Sequence, residues 1–185
     1  TIAAAVADTF FDIVLDGDDV DVRGALNLSG EDIRVVSRDG DFISVPQGVR
    51  LGAIATRATG ADPTIGDPAN GTLEVFAEGP ITDAPGAAIT VAGDATFSAS
   101  AVADGEVFDV LLDEAGAHTV AGGLTLDAED ATVALAGPAE LRSIATRAGG
   151  VSPGDANADP TIDGTGDFVL SARGTITESG AASIA

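Results

Sequence analysis

Apolar residues in this chain recur at every second position over short stretches. Leu26 and Leu28, Ile33 and Val35, Leu73 and Val75, and Ile89 and Val91 alternate with small or polar neighbours. Further along, Leu124 and Leu126, Val133 and Leu135, and Phe168 and Leu170 do the same. Such alternation buries one face of an extended strand and leaves the other in solvent. Turn formers separate the strands, as in Asp16-Gly17-Asp18, Arg38-Asp39-Gly40-Asp41 and Ala69-Asn70-Gly71. No helical stripe with a period of about 3.6 is sustained. Ala3 to Ala7 has helix propensity, but its counterpart around Phe97 to Val102 alternates like a strand. The pattern predicts an all-β chain.

The strands come in two sets. Ile54-Ala55-Thr56-Arg57-Ala58 returns as Ile144-Ala145-Thr146-Arg147-Ala148, and Asp62-Pro63-Thr64-Ile65 returns as Asp159-Pro160-Thr161-Ile162. Phe11-Asp12-Ile13-Val14-Leu15-Asp16 is echoed by Phe108-Asp109-Val110-Leu111-Leu112-Asp113, and Ile81-Thr82 by Ile176-Thr177. The order is kept, with offsets from 90 (Ile54 to Ile144) to 98 (Leu28 to Leu126). The reading is a tandem duplication, with copy one at 1–95 and copy two at 96–185, forming one continuous body.

Many short, evenly spaced strands fit either a β-solenoid or tandem β-sandwich domains. A sandwich core favours bulky aromatics, whereas a narrow solenoid accepts stacked Val, Ile, Leu and Ala with Gly, Asn and Asp at its corners. Tyr and Trp are absent here, Phe numbers 7 and Gly 24, which favours the solenoid.

Charge narrows the partners. The 30 acidic residues outweigh 8 basic ones, all arginine, for a net charge of -22. Nucleic acid and anionic membrane surfaces are repelled by such a chain, and no apolar stretch is long enough for a membrane-spanning helix. There is no cysteine for disulfide or thiol chemistry. An acidic chain without lysine suits salty or calcium-bearing surroundings, where cations screen its self-repulsion. An extracellular setting is expected.

The run Gly71-Thr72-Leu73-Glu74-Val75-Phe76-Ala77-Glu78-Gly79-Pro80-Ile81-Thr82-Asp83, followed by Ala88-Ile89-Thr90-Val91-Ala92-Gly93-Asp94-Ala95-Thr96-Phe97, resembles the repeats of filamentous-haemagglutinin-type large adhesins. Asp167-Phe168-Val169-Leu170-Ser171-Ala172-Arg173-Gly174-Thr175-Ile176-Thr177 repeats its first half. The resemblance implies a right-handed parallel β-helix in a long, secreted, cell-surface protein. The acidic balance and the Asp-Pro-Thr-Ile insertions depart from that family's pattern.

Few residues carry candidate chemistry. Asp155, Asn157, Asp159, Asp163 and Asp167 form the densest oxygen cluster, and its Asp-x-Asn-x-Asp opening is similar to the calcium loops of EF-hand and dockerin modules. Pro160 stands where such a loop needs glycine, and Asp167 falls one position late. Calcium at this loop is weighed against a solvated corner, and the acidic run Asp16, Asp18, Asp19, Asp21 is a second candidate. His118, the only histidine, sits on a Gly-Ala turn and reads as a surface residue, with no second histidine or cysteine for zinc. Arg57 and Arg147 occupy equivalent positions, and an ion pair to a neighbouring strand explains them better than a ligand contact.

The expectation is a non-enzymatic, structural or adhesive block of a cell-surface adhesin. Its partners would be neighbouring repeats of the same chain, cell-surface glycans or other cells. Alternatives are a subunit that assembles head to tail into an extracellular filament, because both ends of the chain fall at nearly the same phase of the repeat, and a solenoid enzyme acting on acidic polysaccharide.

Overall fold

The computed structural model describes residues 2–3, 5–6, 9–10, 12–18, 24–38, 48–58, 71–101, 106–114, 117–147 and 166–184. Among them every regular element is a strand. The strands are β1 (Ile2–Ala3), β2 (Ala5–Val6), β3 (Thr9–Phe10), β4 (Ile13–Asp18), β5 (Leu26–Gly30), β6 (Ile33–Arg38), β7 (Val49–Thr56), β8 (Leu73–Ala77) and β9 (Ile81–Val91). They continue with β10 (Ala95–Ala101), β11 (Glu106–Val107), β12 (Val110–Leu112), β13 (Thr119–Val120), β14 (Gly123–Ala128), β15 (Ala131–Leu135), β16 (Ala139–Thr146), β17 (Phe168–Ala172) and β18 (Ile176–Ile184).

Two large sheets hold nearly all of them. One runs β1-β5-β7-β9-β12-β15-β17, with β13 also on β9; the other runs β4-β6-β8-β10-β14-β16-β18, with β11 on β10. Within each path the pairings are parallel; the antiparallel contacts are the short β2–β3 and β10–β11 hairpins. From β4 to β9 the chain alternates between the sheets strand by strand, and it does so again from β14 to β18. Each such pair of strands makes one rung.

Period-two burial follows from this layout. β8 and β15 alternate buried and half-buried residues along their length, and Leu73, Val75, Ile81 and Val110 are fully buried. Inward residues stack on their like from rung to rung: Ile33 on Leu73, Val35 on Val75, and Val75 on Phe97. These columns form one apolar core from Ile13 to Ile144, and burial of that surface is the main force holding the sheets together.

The segments that repeat in sequence take the same pairings on opposite sheets. Leu28 pairs with Ile54 in one sheet, and Leu126 with Ile144 in the other. Ala53 pairs with Ala88 past a register shift, and Ser143 with Ser183 past a matching one. Seven strands of the first half (β1 and β4 to β9) correspond to seven of the second (β10, β12 and β14 to β18). An odd number of strand steps carries each repeated segment to the other sheet.

Aspartates line the corners where strands begin. The Asp12 carboxylate accepts the Asp32 N–H at 3.3 Å, and Asp32 accepts the Thr72 N–H and hydroxyl at 2.5 and 2.9 Å. On the other sheet Asp109 accepts the Asp130 N–H at 3.4 Å, and Asp130 accepts the Asp167 N–H at 2.5 Å. Each carboxylate satisfies a backbone donor one rung on, at a bend where the ladder cannot. Part of the acidity therefore has a structural use.

Candidate functional site

The most chemically distinctive place lies where β7 and β9 fall out of register. Leu51 faces Asp83 and Ala53 faces Ala88, so Ala84, Pro85, Gly86 and Ala87 bulge from β9. A bulge of this kind leaves backbone groups without ladder partners. His118, one rung further, fills the gap. Its Nδ1 accepts the Ile89 N–H at 3.2 Å, and its Nε2 lies 2.8 Å from Asp83 Oδ2. With Nδ1 acting as acceptor, the partners assign the ring hydrogen to Nε2, which donates to Asp83. The same Asp83 oxygen accepts the Glu114 N–H at 2.9 Å. His118 and the Asp83 side chain are only 2% and 6% exposed.

This corrects the reading of His118 as a surface residue. The available signal was its spacing from Val120: the two share a face of one extended segment, and Val120 is buried in the core. Both ring nitrogens are committed to structural partners. The pair therefore works as a polar patch over a backbone defect rather than as an open acid–base site.

Two of the other register shifts carry comparable patches. Between β5 and β7, Asn27 Oδ1 accepts the Ala53 N–H at 2.7 Å while its amide donates to Ala25 C=O at 3.1 Å. Between β14 and β16, Arg142 pairs with Asp94, whose carboxylate also accepts the Gly123 N–H at 2.9 Å.

The repeated Ile-Ala-Thr-Arg segments close the long connections. The Thr56 hydroxyl donates to Gly71 C=O and accepts the Ala92 N–H at 3.0 Å. The Thr146 hydroxyl donates to Gly166 C=O at 2.6 Å. Gly71 and Gly166 have φ of 63° and 81°, a backbone region that favours glycine. Arg147 pairs with Asp127 on the neighbouring strand β14. Arg57 donates its backbone N–H to Glu31 C=O.

Of the calcium candidates, Asp155, Asn157, Asp159 and Asp163 lie outside the described residues. Asp167 is described: it is exposed, and its backbone belongs to the corner ladder. Asp16 is bound by Arg38, with contacts of 2.5 and 3.2 Å, while Asp19 and Asp21 lie outside the described residues. No group of three or more metal-ligating side chains occurs among the described residues. A groove of about 630 Å³ lies where sheet width drops from the long β9 to the short β15; its lining includes Thr90, Thr119, Pro138, Glu140 and Thr177. No described helix is long and apolar enough to cross a membrane.

Residues 51–118 match a family described as repeats of unknown function (DUF5649). That stretch starts in β7, crosses from the first set of repeated segments into the second, and ends on His118. Comparison with curated proteins and with solved structures finds no match.

Proposed function

We propose that the chain is a parallel β-solenoid block, right-handed as in the adhesins it resembles, that serves as a structural or adhesive element of a long extracellular, cell-surface protein. The observation that carries this reading is the use made of its polar groups. His118, Asp83, Asp130 and Thr56 are each bound to backbone of neighbouring rungs, which supports a body built for continuity rather than for a reaction. Parallel sheets that run across the midpoint of the chain without interruption support it further. Surface glycans or other cells are the partners that fit, and the loop holding Asp155, Asn157, Asp159, Asp163 and Asp167 takes calcium in this reading.

Negative-stain electron microscopy of the native cell-surface material tests it. Elongated rods or fibres are expected. Globular particles that release reducing or unsaturated sugars from acidic glycans would overturn it in favour of the polysaccharide-active alternative.

A further inference from the structure

The groove of about 630 Å³ opens where the stack narrows. β9 spans 11 residues and β15 only 5, so β13 holds Thr119 and Val120 beyond the point where the chain turns through Gly137 and Pro138 into β16. Thr90 and Thr119, paired in register on neighbouring rungs, form one wall, and Glu140 stands on the other sheet. The rungs that carry these three residues lie inside the stack. Neither threonine hydroxyl is committed to another described group, whereas Thr56 and Thr146 use theirs to close long connections. Between the walls the groove is apolar, with Val120 beneath, Pro138 exposed at the corner and Gly137 offering no side chain.

We infer that this groove binds a neutral, linear glycan, one sugar unit to a rung. The inference rests on the adhesive reading above and adds the place of binding and the class of glycan. A pyranose offers C–H faces that pack on apolar groups and a rim of hydroxyls that both donate and accept. Pro138 and Val120 suit the faces. The Thr90 and Thr119 hydroxyls, each donor and acceptor, and the Glu140 carboxylate, an acceptor, suit the rim. Rungs lie about 4.8 Å apart, close to the length of one pyranose unit, so Thr90 and Thr119 meet successive sugars. Charge selects the class. Glu140 is the only ionisable side chain among the described lining residues. Arg142, whose Nε lies 3.8 Å from Glu140, is also paired with Asp94. No described lining residue offers a cation to a sulfate or a uronate, and the net charge of -22 repels both. A cationic glycan would be drawn to acidic surface in general and not to this groove.

Gly137 supplies the decisive variant. A Cβ there meets nothing within 4 Å, so Gly137→Leu fills the groove without disturbing its walls. Amide chemical-shift titration of the chain with cellohexaose tests the inference. Saturable shifts at Thr90, Thr119 and Gly137 are expected, with binding weakened about tenfold or more by Gly137→Leu and by Thr90→Val/Thr119→Val. Thr132→Val, on the same sheet but outside the groove, should leave binding unchanged. Oligogalacturonate of equal length should not bind, and chitosan hexaose should shift acidic surface widely. Shifts confined elsewhere, an unaffected Gly137→Leu variant, or oligogalacturonate binding as tightly as cellohexaose would overturn the inference. A β-dispersed spectrum that cellohexaose does not perturb removes the groove site and leaves the structural reading standing. Cleavage of the cellohexaose during the titration overturns the non-enzymatic reading and this inference with it.

Discussion

Thr56 and Thr146 perform one task on opposite sheets. Each hydroxyl donates to the carbonyl of a glycine in left-handed backbone, Gly71 or Gly166, at the far end of a long connection. The repeated segment thus marks the point where a strand ends and a long excursion must be closed. Because the copies are seven strands apart, the two excursions leave from opposite sheets.

The clamps differ in burial, and this sets their cost. Thr56 is 3% exposed and makes two hydrogen bonds, whereas Thr146 is half-buried and makes one described bond. Thr56→Val should destabilise the fold by about 2 kcal/mol and Thr146→Val by about 1 kcal/mol, since a buried group left unpaired costs more than the net worth of a bond. Urea unfolding of both variants checks this. Equal losses would contradict the role assigned to burial.

His118 should matter for stability. His118→Leu leaves the Ile89 N–H and the Asp83 carboxylate without the partner that now joins them, at a cost of about 2–4 kcal/mol. Asp83→Asn keeps an acceptor oxygen beside Nε2 and should cost less. Thermal unfolding decides between them, and a neutral His118→Leu variant would show that the bulge does not need its patch.

Calcium binding at the loop carrying Asp155, Asn157, Asp159, Asp163 and Asp167 predicts a melting temperature that rises with millimolar calcium, because a ligand that binds only the folded chain stabilises it. Asp155→Ala combined with Asp159→Ala should abolish the rise. A melting temperature indifferent to calcium and chelator would remove the site.

Salt should stabilise the fold. Exposed pairs such as Arg38–Asp16 and Arg147–Asp127 lose strength on screening, but each is worth only about 0–1 kcal/mol. Relief of self-repulsion at a net charge of -22 acts over the whole molecule and should outweigh them. The melting temperature is expected to climb between low and molar sodium chloride, and a fall would mean that the ion pairs dominate.

The strands were legible because their cause is local. Leu26 and Leu28, Leu73 and Val75, and Val133 and Leu135 each sit in a strand, since alternation alone fixes which side is buried. Sheet assignment was not legible. The offset between Ile54 and Ile144 does not reveal whether an odd or even number of strands intervenes, and that parity alone decides which sheet each joins. The corner aspartates looked like undirected acidity, because Asp32 and Asp130 meet their partners 40 and 37 residues away. The burial of His118 was legible in its spacing from Val120, but its task was not: the defect it repairs lies in β9, which no pattern around position 118 reports.

The most direct test of the account is whether the second set of strands continues the first as one stack. Thr96 on β10 is paired with Glu74 on β8, across the midpoint of the chain. Glu74→Cys/Thr96→Cys should form an intrachain disulfide under mild oxidation, read by mass spectrometry, while Thr82→Cys/Thr96→Cys, with its thiols on different sheets, should not. A bridge in the first variant alone is the predicted result. No bridge in either, or a bridge in both, would contradict a continuous parallel stack.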